Sequence, residues 1–496
     1  MTKFSKIVFL VFFVCFSCSE DILTEDPKSF LTPESFPNTE KDAIAATNAA
    51  YSRLYINPRE LYYGFVGTDE AFQGFHNKRP ITWFINLNEF NNDSNSFWQT
   101  DYEGIARCNA VIDLVPEVEM NENLKNRLVA EGKFLRAFYY FQLVRKYGGV
   151  PIIDHVLLGP DELIGVTRNT EEEVYTLIKQ DLNDAKSVLP DEYSSGELGR
   201  ATKWAAIGIL AKVHMTLKEF EPASNLLDQI INSGQFGLFA DYNRNFREIN
   251  ENQMFPDKNG VLVNEIIWDI QFAKDDRGHT ITQQTGSRDN LVGGDAAHWG
   301  GYENMLPTPE LKAMFEPGDL RLPISYVEEV QLPNGDIRVL QSNTSPGAGP
   351  ISGKYHNPEN SLLPVPFNSP NNINIIRYAD ILLLKAEALN ELGNTVEANQ
   401  YINLVRERAG ITMLADLGQD GMRQAIIKER ATELSFEGQR RYDLIRWGIY
   451  VETMRNTTSA YLQSPRENIQ DFHVYLPVPQ NEIGSSNGTI VQNPGY

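Results

Sequence analysis

The stretch LLLKAEALNELGNTVEANQYINLV, residues 382–405, decides the fold class. Its apolar residues recur every three to four positions on both sides of a turn marked by Gly393, as in two consecutive amphipathic helices. The small residues Ala386 and Ala398 lie 12 positions apart across that turn, where they let two helices cross closely. The spacing therefore predicts an antiparallel helical pair.

An earlier stretch, residues 207–230, shares this register. Ala211 and Ala223 are also 12 positions apart with a turn between them, and larger apolar residues surround them. This is the pattern of tetratricopeptide-type pairs, each of which leaves an apolar face uncovered, so that several must stack to close a core. We therefore predict a mainly α protein, a tetratricopeptide-like scaffold of helical pairs that is interrupted by a long insertion.

The predicted insertion, residues 241–369, is rich in Gly, Pro, Asn and Asp. One strand is predicted at Glu265–Phe272, with alternating apolar residues on a shared face, and Leu332–Asp336 has the composition of a hairpin turn. Loops held on a rigid helical scaffold commonly carry recognition. We therefore expect a loop-rich insertion with short strands that forms part of a binding face.

The N-terminus is predicted to direct export. Residues 1–17 contain two lysines followed by an apolar run of ten residues, shorter than the ~20 that cross a bilayer. Cys18 follows a small residue at the end of this run, which resembles the lipobox of bacterial lipoproteins, and we expect it to be acylated. The alternative is an incidental thiol. Residues 18–40 then form an acidic tether, before a helical region at 41–240 and a second one with an irregular tail at 370–496.

The charge and the missing motifs exclude several functions. With 44 basic and 66 acidic side chains the formal charge is −22, which repels phosphate backbones and argues against a nucleic-acid partner. Metalloprotease, paired-cysteine, nucleophile-elbow and phosphate-loop motifs do not occur in the sequence. We expect no catalytic residues, no metal and no cofactor. A glycosidase stays open, because its paired carboxylates have no recognisable spacing.

Several stretches, in this order along the chain, carry a family resemblance: RAFYYFQLV at 136–144, YGGVP at 147–151, RYADILLLKAEA at 377–388, ERATELSFEGQRRYDL at 429–444, LPVPQNE at 476–482 and NPGY at 493–496. Together with the lipobox they resemble the SusD/RagB family of surface lipoproteins, which capture glycans for a SusC-like TonB-dependent transporter. The acidic tether is similar to the surface-export signal of Bacteroidetes lipoproteins.

The resemblance implies a protein that is lipid-anchored at the cell surface, on the outer membrane, and that binds a polysaccharide or oligosaccharide. It also implies that helical pairs on one side pack against the transporter, while the loop-rich side carries the glycan site. The motifs themselves are expected to be structural, with Arg440, Arg441 and Asp443 forming a capping and ion-pair cluster. Two alternatives remain, a surface glycoside hydrolase and a protein-binding repeat scaffold without glycan affinity.

Aromatic side chains bind sugars by stacking on their C–H faces, while polar groups bind the rim hydroxyls. Four tryptophans have periodic apolar neighbours and are predicted to be core residues: Trp98, Trp204, Trp268 and Trp447. Trp83 and Trp299 do not, and glycines beside Trp299 and Tyr302 let these rings stand clear of the backbone. We predict that Trp83, Trp299 and Tyr302 bind the glycan. Weaker candidates, chosen because they lie near these residues in the sequence, are Asp69, Glu70, Asn86 and His298. The acidic body favours a neutral polysaccharide, with a β-glucan preferred.

Overall fold

A computed structural model describes residues 36–496 apart from 57, 75–78, 195, 248–252, 274–275, 287–303, 332–335, 341–348, 357–368 and 416. Cys18, Trp299, Tyr302 and His298 therefore lie outside the described residues. The prediction of a mainly α protein is confirmed. Within the described ranges, no helix has the length and apolar character that crossing a membrane requires.

The N-terminal half is helical, as predicted. Its helices are α1 (Glu40–Tyr51), α2 (Pro58–Tyr63), α3 (Pro80–Trp83), α4 (Asn92–Leu114), α5 (Glu122–Tyr147), α6 (Glu171–Val188), α7 (Lys203–Thr216) and α8 (Phe220–Asn232). Their ends follow local chemistry. Thr170 and Glu173 form a capping box at the start of α6, and Gly148, with a φ of 73°, ends α5.

The C-terminal half is also helical, and it follows three short helices of the insertion. The latter are α9 (Ile281–Thr285), α10 (Pro309–Met314) and α11 (Leu322–Ser325). The C-terminal helices are α12 (Tyr378–Glu391), α13 (Thr395–Arg408), α14 (Gln419–Glu433), α15 (Arg440–Trp447), α16 (Tyr450–Arg455), α17 (Gln463–Asn468) and α18 (Gln480–Ser485).

The two predicted helical pairs are α7–α8 and α12–α13, and α12 also packs on α8, so the pairs stack on each other. The predicted crossing residues Ala211, Ala223, Ala386 and Ala398 are all 0% exposed. Small side chains at these positions let the helices approach closely, which is why their 12-residue spacing could be recognised in the sequence. The insertion thus separates two helical pairs that are neighbours in space.

The insertion contributes short antiparallel strand pairs. In the part of the chain that the structure describes, the strands are β1 (Ala71–Phe72), β2 (Phe255–Pro256), β3 (Leu262–Val263), β4 (Ile266–Ile270), β5 (Leu306–Pro307), β6 (Glu329–Gln331), β7 (Ile337–Val339) and β8 (Ile373–Arg377). They pair as β1–β5, β2–β3, β4–β8 and β6–β7. The predicted strand at 265–272 is β4, but both of its faces are buried, since Ile267 is as inaccessible as its neighbour Trp268.

Two local expectations need correction or refinement. The Asn-rich composition of residues 91–95 suggests a loop, but these residues begin α4, because the Asn91 side chain accepts a hydrogen bond from the Ser94 N–H at 2.9 Å and caps the helix. Of the four tryptophans expected in the core, three are at most 6% exposed. Trp447 is half-buried, and its indole N–H donates to Glu387 at 2.8 Å.

The C-terminal tail fastens onto the end of α5. The Leu476 N–H donates to the Lys146 carbonyl oxygen at 2.7 Å. The Asn493 side-chain amide donates to the carbonyl oxygens of Tyr147 at 3.1 Å and of Leu476 at 2.7 Å. The motifs YGGVP, LPVPQNE and NPGY therefore contact one another, which gives them the structural role that the sequence suggested.

A buried ionic cluster joins the insertion to the C-terminal helices. At its centre the Glu433 carboxylate, 0% exposed, contacts the guanidinium groups of Arg321 at 3.0 Å, Arg377 at 2.5 Å and Arg408. Arg377 and Arg408 also contact Glu265, which directly precedes β4. Each of these charges has a partner, as burial requires, so this cluster explains Glu433 in the motif at 429–444.

Candidate functional site

The candidate site is built on the short β1–β5 pair. Ala71 lies opposite Pro307 and Phe72 opposite Leu306. Just beyond the pair, the Gly74 N–H donates to the Asn304 carbonyl oxygen at 3.3 Å. Gly74 directly precedes residues 75–78, and Asn304 directly follows residues 287–303. The pair therefore brings one end of each of these two segments together, although they lie more than 200 positions apart in the sequence.

Two glutamines hold the remaining ends of these segments. The Gln73 side-chain oxygen accepts hydrogen bonds from the Arg79 N–H at 3.2 Å and from the Thr82 hydroxyl, so both ends of residues 75–78 are tied together. The Gln284 carbonyl oxygen accepts from the Asn304 N–H at 3.0 Å, near both ends of residues 287–303. The structure thus gathers the residues that flank both segments around the β1–β5 pair.

The base of this site is rigid. Asp69 binds the Arg440 guanidinium with both carboxylate oxygens, at 2.9 and 2.6 Å. The Thr308 hydroxyl donates to the Asp69 carbonyl oxygen, and the Thr308 N–H donates to the Glu70 carbonyl oxygen at 3.1 Å. The Arg441 guanidinium donates to the carbonyl oxygen of Val66 at 2.6 Å. Arg440 and Arg441 thus support β1, whereas Asp443, expected in one cluster with them, pairs with Arg430 and Arg446 instead.

A close backbone contact completes the base. Gly64 lies directly against the turn before α15, where Gly438 has a φ of 73°. A Cβ atom on Gly64 would lie 2.1 Å from the Gly438 carbonyl oxygen, so a side chain at this position would separate the two segments. Gly64 is therefore required for close packing against this turn beneath the site.

Burial sets the charge state of Glu70. Desolvation by burial raises the pKa of Glu70 to about 8. Three groups oppose this shift: the Phe436 N–H, which donates to the carboxylate, and the positive charges of Arg440 and Lys354. At neutral pH this side chain is therefore largely protonated. It accepts a hydrogen bond from the turn before α15 and is a structural part of the base.

This protonation predicts a pH effect on stability. Because Glu70 keeps its proton in the folded chain up to a pKa of about 8, and releases it near 4.5 when unfolded, folding is favoured at low pH. Its contribution to the free energy of unfolding falls as pH rises between these values, by on the order of 4 kcal/mol. The Glu70→Gln variant cannot ionise, so its stability should fall less over this range. Urea unfolding at pH 5 and pH 8 measures the difference, and equal losses in both chains would contradict it.

The structure corrects three of the predicted glycan-binding residues. Trp83, at the end of α3, is 5% exposed and cannot offer a ring face to a sugar. Asp69 and Glu70 are 4% and 1% exposed and belong to the base just described. Trp83 was selected because no helical apolar stripe surrounds it, but its short helix α3 packs against α17, far along the sequence. Asn86 is exposed, with a φ of 52°.

One exposed aromatic residue was missed from the sequence. Phe90 is 70% exposed, in the segment that joins α3 to α4, and Ile85 in the same segment is 38% exposed. Only the short helix α3 separates this segment from residues 75–78, and the segment also contains Asn86. An isolated apolar residue in a polar stretch, between NLNE and NNDSN, was the available signal.

Metal binding has no candidate among the described residues, where no group of three His, Cys, Asp or Glu side chains comes together.

Two family models match the chain. The model described as the SusD family matches residues 365–496, and the model described as starch-binding associating with outer membrane matches residues 68–215. These ranges include the C-terminal motifs, the helices α4–α6 and three residues of the base, Asp69, Glu70 and Arg440.

Curated relatives and solved structures agree with these models. SusD-like protein P25 of Formosa agariphila is 30% identical over 97% of both chains. The starch-binding protein SusD of Bacteroides thetaiotaomicron is 23% identical over 90% of this chain and 86% of that one. A structure described as a laminarin binding SusD-like protein superposes with a TM-score of 0.78 at 27% identity, covering 93% of this chain and 100% of the other.

Proposed function

Because this chain belongs to the SusD/RagB family, we propose that it binds a polysaccharide or oligosaccharide at the cell surface without cleaving it. The observation that carries the proposal is the convergence at the β1–β5 pair. There the described residues that flank 75–78 and 287–303 are joined by hydrogen bonds above a well-packed base. The second segment contains the aromatic residues Trp299 and Tyr302.

In this proposal Trp299 and Tyr302 stack on sugar rings, and His298 and Asn86 bind rim hydroxyls. Phe90, exposed beside Asn86, adds a further ring surface. Ordering side chains and loops on binding costs free energy, so a base already fixed by hydrogen bonds favours affinity. We therefore treat residues 85–90 and 298–302 as the glycan-binding face.

The proposed ligand is a neutral β-glucan. A structural relative with 27% identity is described as laminarin binding, and laminarin is an uncharged β-glucan. The charge of −22 supports the same choice, because an acidic protein disfavours the approach of a polyanionic polymer. Acylated Cys18 would anchor the protein to the outer membrane, where a SusC-like TonB-dependent transporter would receive the glycan.

Laminarin binding tests this proposal. We expect calorimetry to detect saturable binding of laminarin, and about tenfold or more weaker binding of alginate, a polyuronate. Reducing ends measured after long incubation should not increase above the buffer control. Release of reducing ends would favour the glycoside hydrolase, and failure to bind any glycan on an array would favour the protein-binding scaffold.

A further inference from the structure

One half of the proposed glycan-binding face begins with a backbone conformation that needs support. Phe84 and Asn86 have φ angles of 55° and 52°, in the left-handed region. Asparagine tolerates this region, but for a bulky residue such as phenylalanine it costs free energy and persists only where the surroundings impose it. The turn leads to the exposed residues Ile85, Asn86 and Phe90. Whatever holds Phe84 in place therefore also sets the position of these residues.

The C-terminal tail holds Phe84. The rings of Phe84 and His473 are stacked, with centroids 5.0 Å apart and an angle of 24° between their planes. The two side chains are 6% and 5% exposed, so neither is open to a ligand. The His473 Nδ1 atom accepts a hydrogen bond from the Gln470 N–H at 2.9 Å, which fixes the ring. Burial and the nearby Arg441 lower the pKa of His473 to about 4, so the ring is neutral at neutral pH.

The tail also holds the other end of this segment. The Gln480 N–H, at the start of α18, donates to the Glu89 carbonyl oxygen at 2.9 Å. The Ser94 hydroxyl, in the first turn of α4, donates to the Pro477 carbonyl oxygen at 2.7 Å. Residues 84–90 are therefore held at both ends by residues 470–480, which lie at the opposite end of the chain.

We propose that residues 470–480 position residues 84–90 for glycan binding, and that His473 is a positioning residue that acts through Phe84. The inference rests on the proposed function, because it takes Asn86 and Phe90 to contact the glycan. His473 itself touches no ligand. Ordering a loop on binding costs free energy, so a segment that the tail already holds in place binds more tightly than a loose one.

A general contribution of the tail to stability is the alternative, and a second tail residue separates the two. Tyr475 is half-buried, and its hydroxyl donates to the Glu171 carboxylate at 2.7 Å, at the start of α6. Tyr475→Ala therefore weakens the tail at a different contact. A positioning role predicts that residues 84–90 respond to substitution of His473 alone, whereas a general effect predicts the same response to both substitutions.

Hydrogen exchange of the full chain without ligand tests the positioning role. The Phe84 N–H donates to the Pro80 carbonyl oxygen at 2.8 Å and the Asn91 N–H to that of Asn88 at 3.0 Å, so both amides report on the order of the segment. We expect His473→Ala to speed exchange in residues 84–91 about tenfold or more relative to α12, and Tyr475→Ala to leave it unchanged. His473→Phe, which keeps a ring against Phe84, should restore slow exchange.

Three outcomes of this experiment would overturn the proposal. They are unchanged exchange in His473→Ala, an equal increase in Tyr475→Ala, and fast exchange in His473→Phe. If His473→Ala does not fold, His473→Leu takes its place, because leucine fills the space without a stacked ring, and the same increase is expected.

Laminarin affinity is measured on the same variants. We expect His473→Ala to bind laminarin about fivefold or more weakly than the unchanged chain, and His473→Phe and Tyr475→Ala to bind it normally. Normal affinity in His473→Ala, despite a loosened segment, would overturn the positioning role. If the unchanged chain binds no glycan, the proposed function fails and the glycan part of this inference fails with it, while the exchange comparison still decides whether the tail orders the segment.

Discussion

Replacing Glu433 by alanine is expected to lower the free energy of unfolding by about 3–5 kcal/mol, the range for removing one partner of a buried ion pair. Three arginines, Arg321, Arg377 and Arg408, contact this carboxylate inside the protein. Burial alone would raise the pKa of Glu433, but these guanidinium groups outweigh it and hold the pKa well below its ordinary value. Without Glu433 they would remain buried with too little compensating charge.

An exposed ion pair supplies the matched control. Glu407 pairs with Lys258, and their side chains are 42% and 49% exposed. Because solvent screens such pairs, Glu407→Ala should cost less than about 1 kcal/mol. Urea unfolding followed by tryptophan fluorescence compares the two variants. Similar unfolding midpoints would mean that the Glu433 cluster does not hold the insertion to the C-terminal helices.

Replacing Trp299 by alanine is expected to weaken glycan binding about thirtyfold or more, on the order of 2 kcal/mol, with an unchanged melting temperature. Its proposed role is to stack on the sugar ring, so its removal affects the bound state alone. Tyr302→Ala should act in the same direction. Calorimetry with laminarin and thermal unfolding measure the two quantities on the same samples.

Trp83→Ala is the informative comparison, because the sequence suggested the same role for both tryptophans. Since Trp83 is 5% exposed, its truncation leaves a cavity and should lower stability by about 3–5 kcal/mol. Retained laminarin affinity in the folded fraction of this variant is expected. Full affinity and full stability in Trp299→Ala would remove Trp299 from the proposed glycan-binding face.

The helices, their ends and the two helical pairs could be predicted from the sequence alone, because their causes are local. The capping box at Thr170, the stop at Gly148 and the 12-residue spacing of Ala386 and Ala398 act within one or two turns of helix. The order of the motifs similarly indicated the family. The Asn-rich start of α4 was missed, because asparagine favours both loops and helix caps.

The residues of the site depended on tertiary structure. Asp69 looked available beside an aromatic stretch, yet its partner Arg440 is 371 positions away. Trp83 lacked a local apolar stripe but is 5% exposed, and Gly74 and Asn304 meet because β1 pairs with β5. Local periodicity therefore determined which segments are helical. Long-range packing decided which polar and aromatic side chains remain exposed, because burial depends on neighbours that the chain brings together only when it folds.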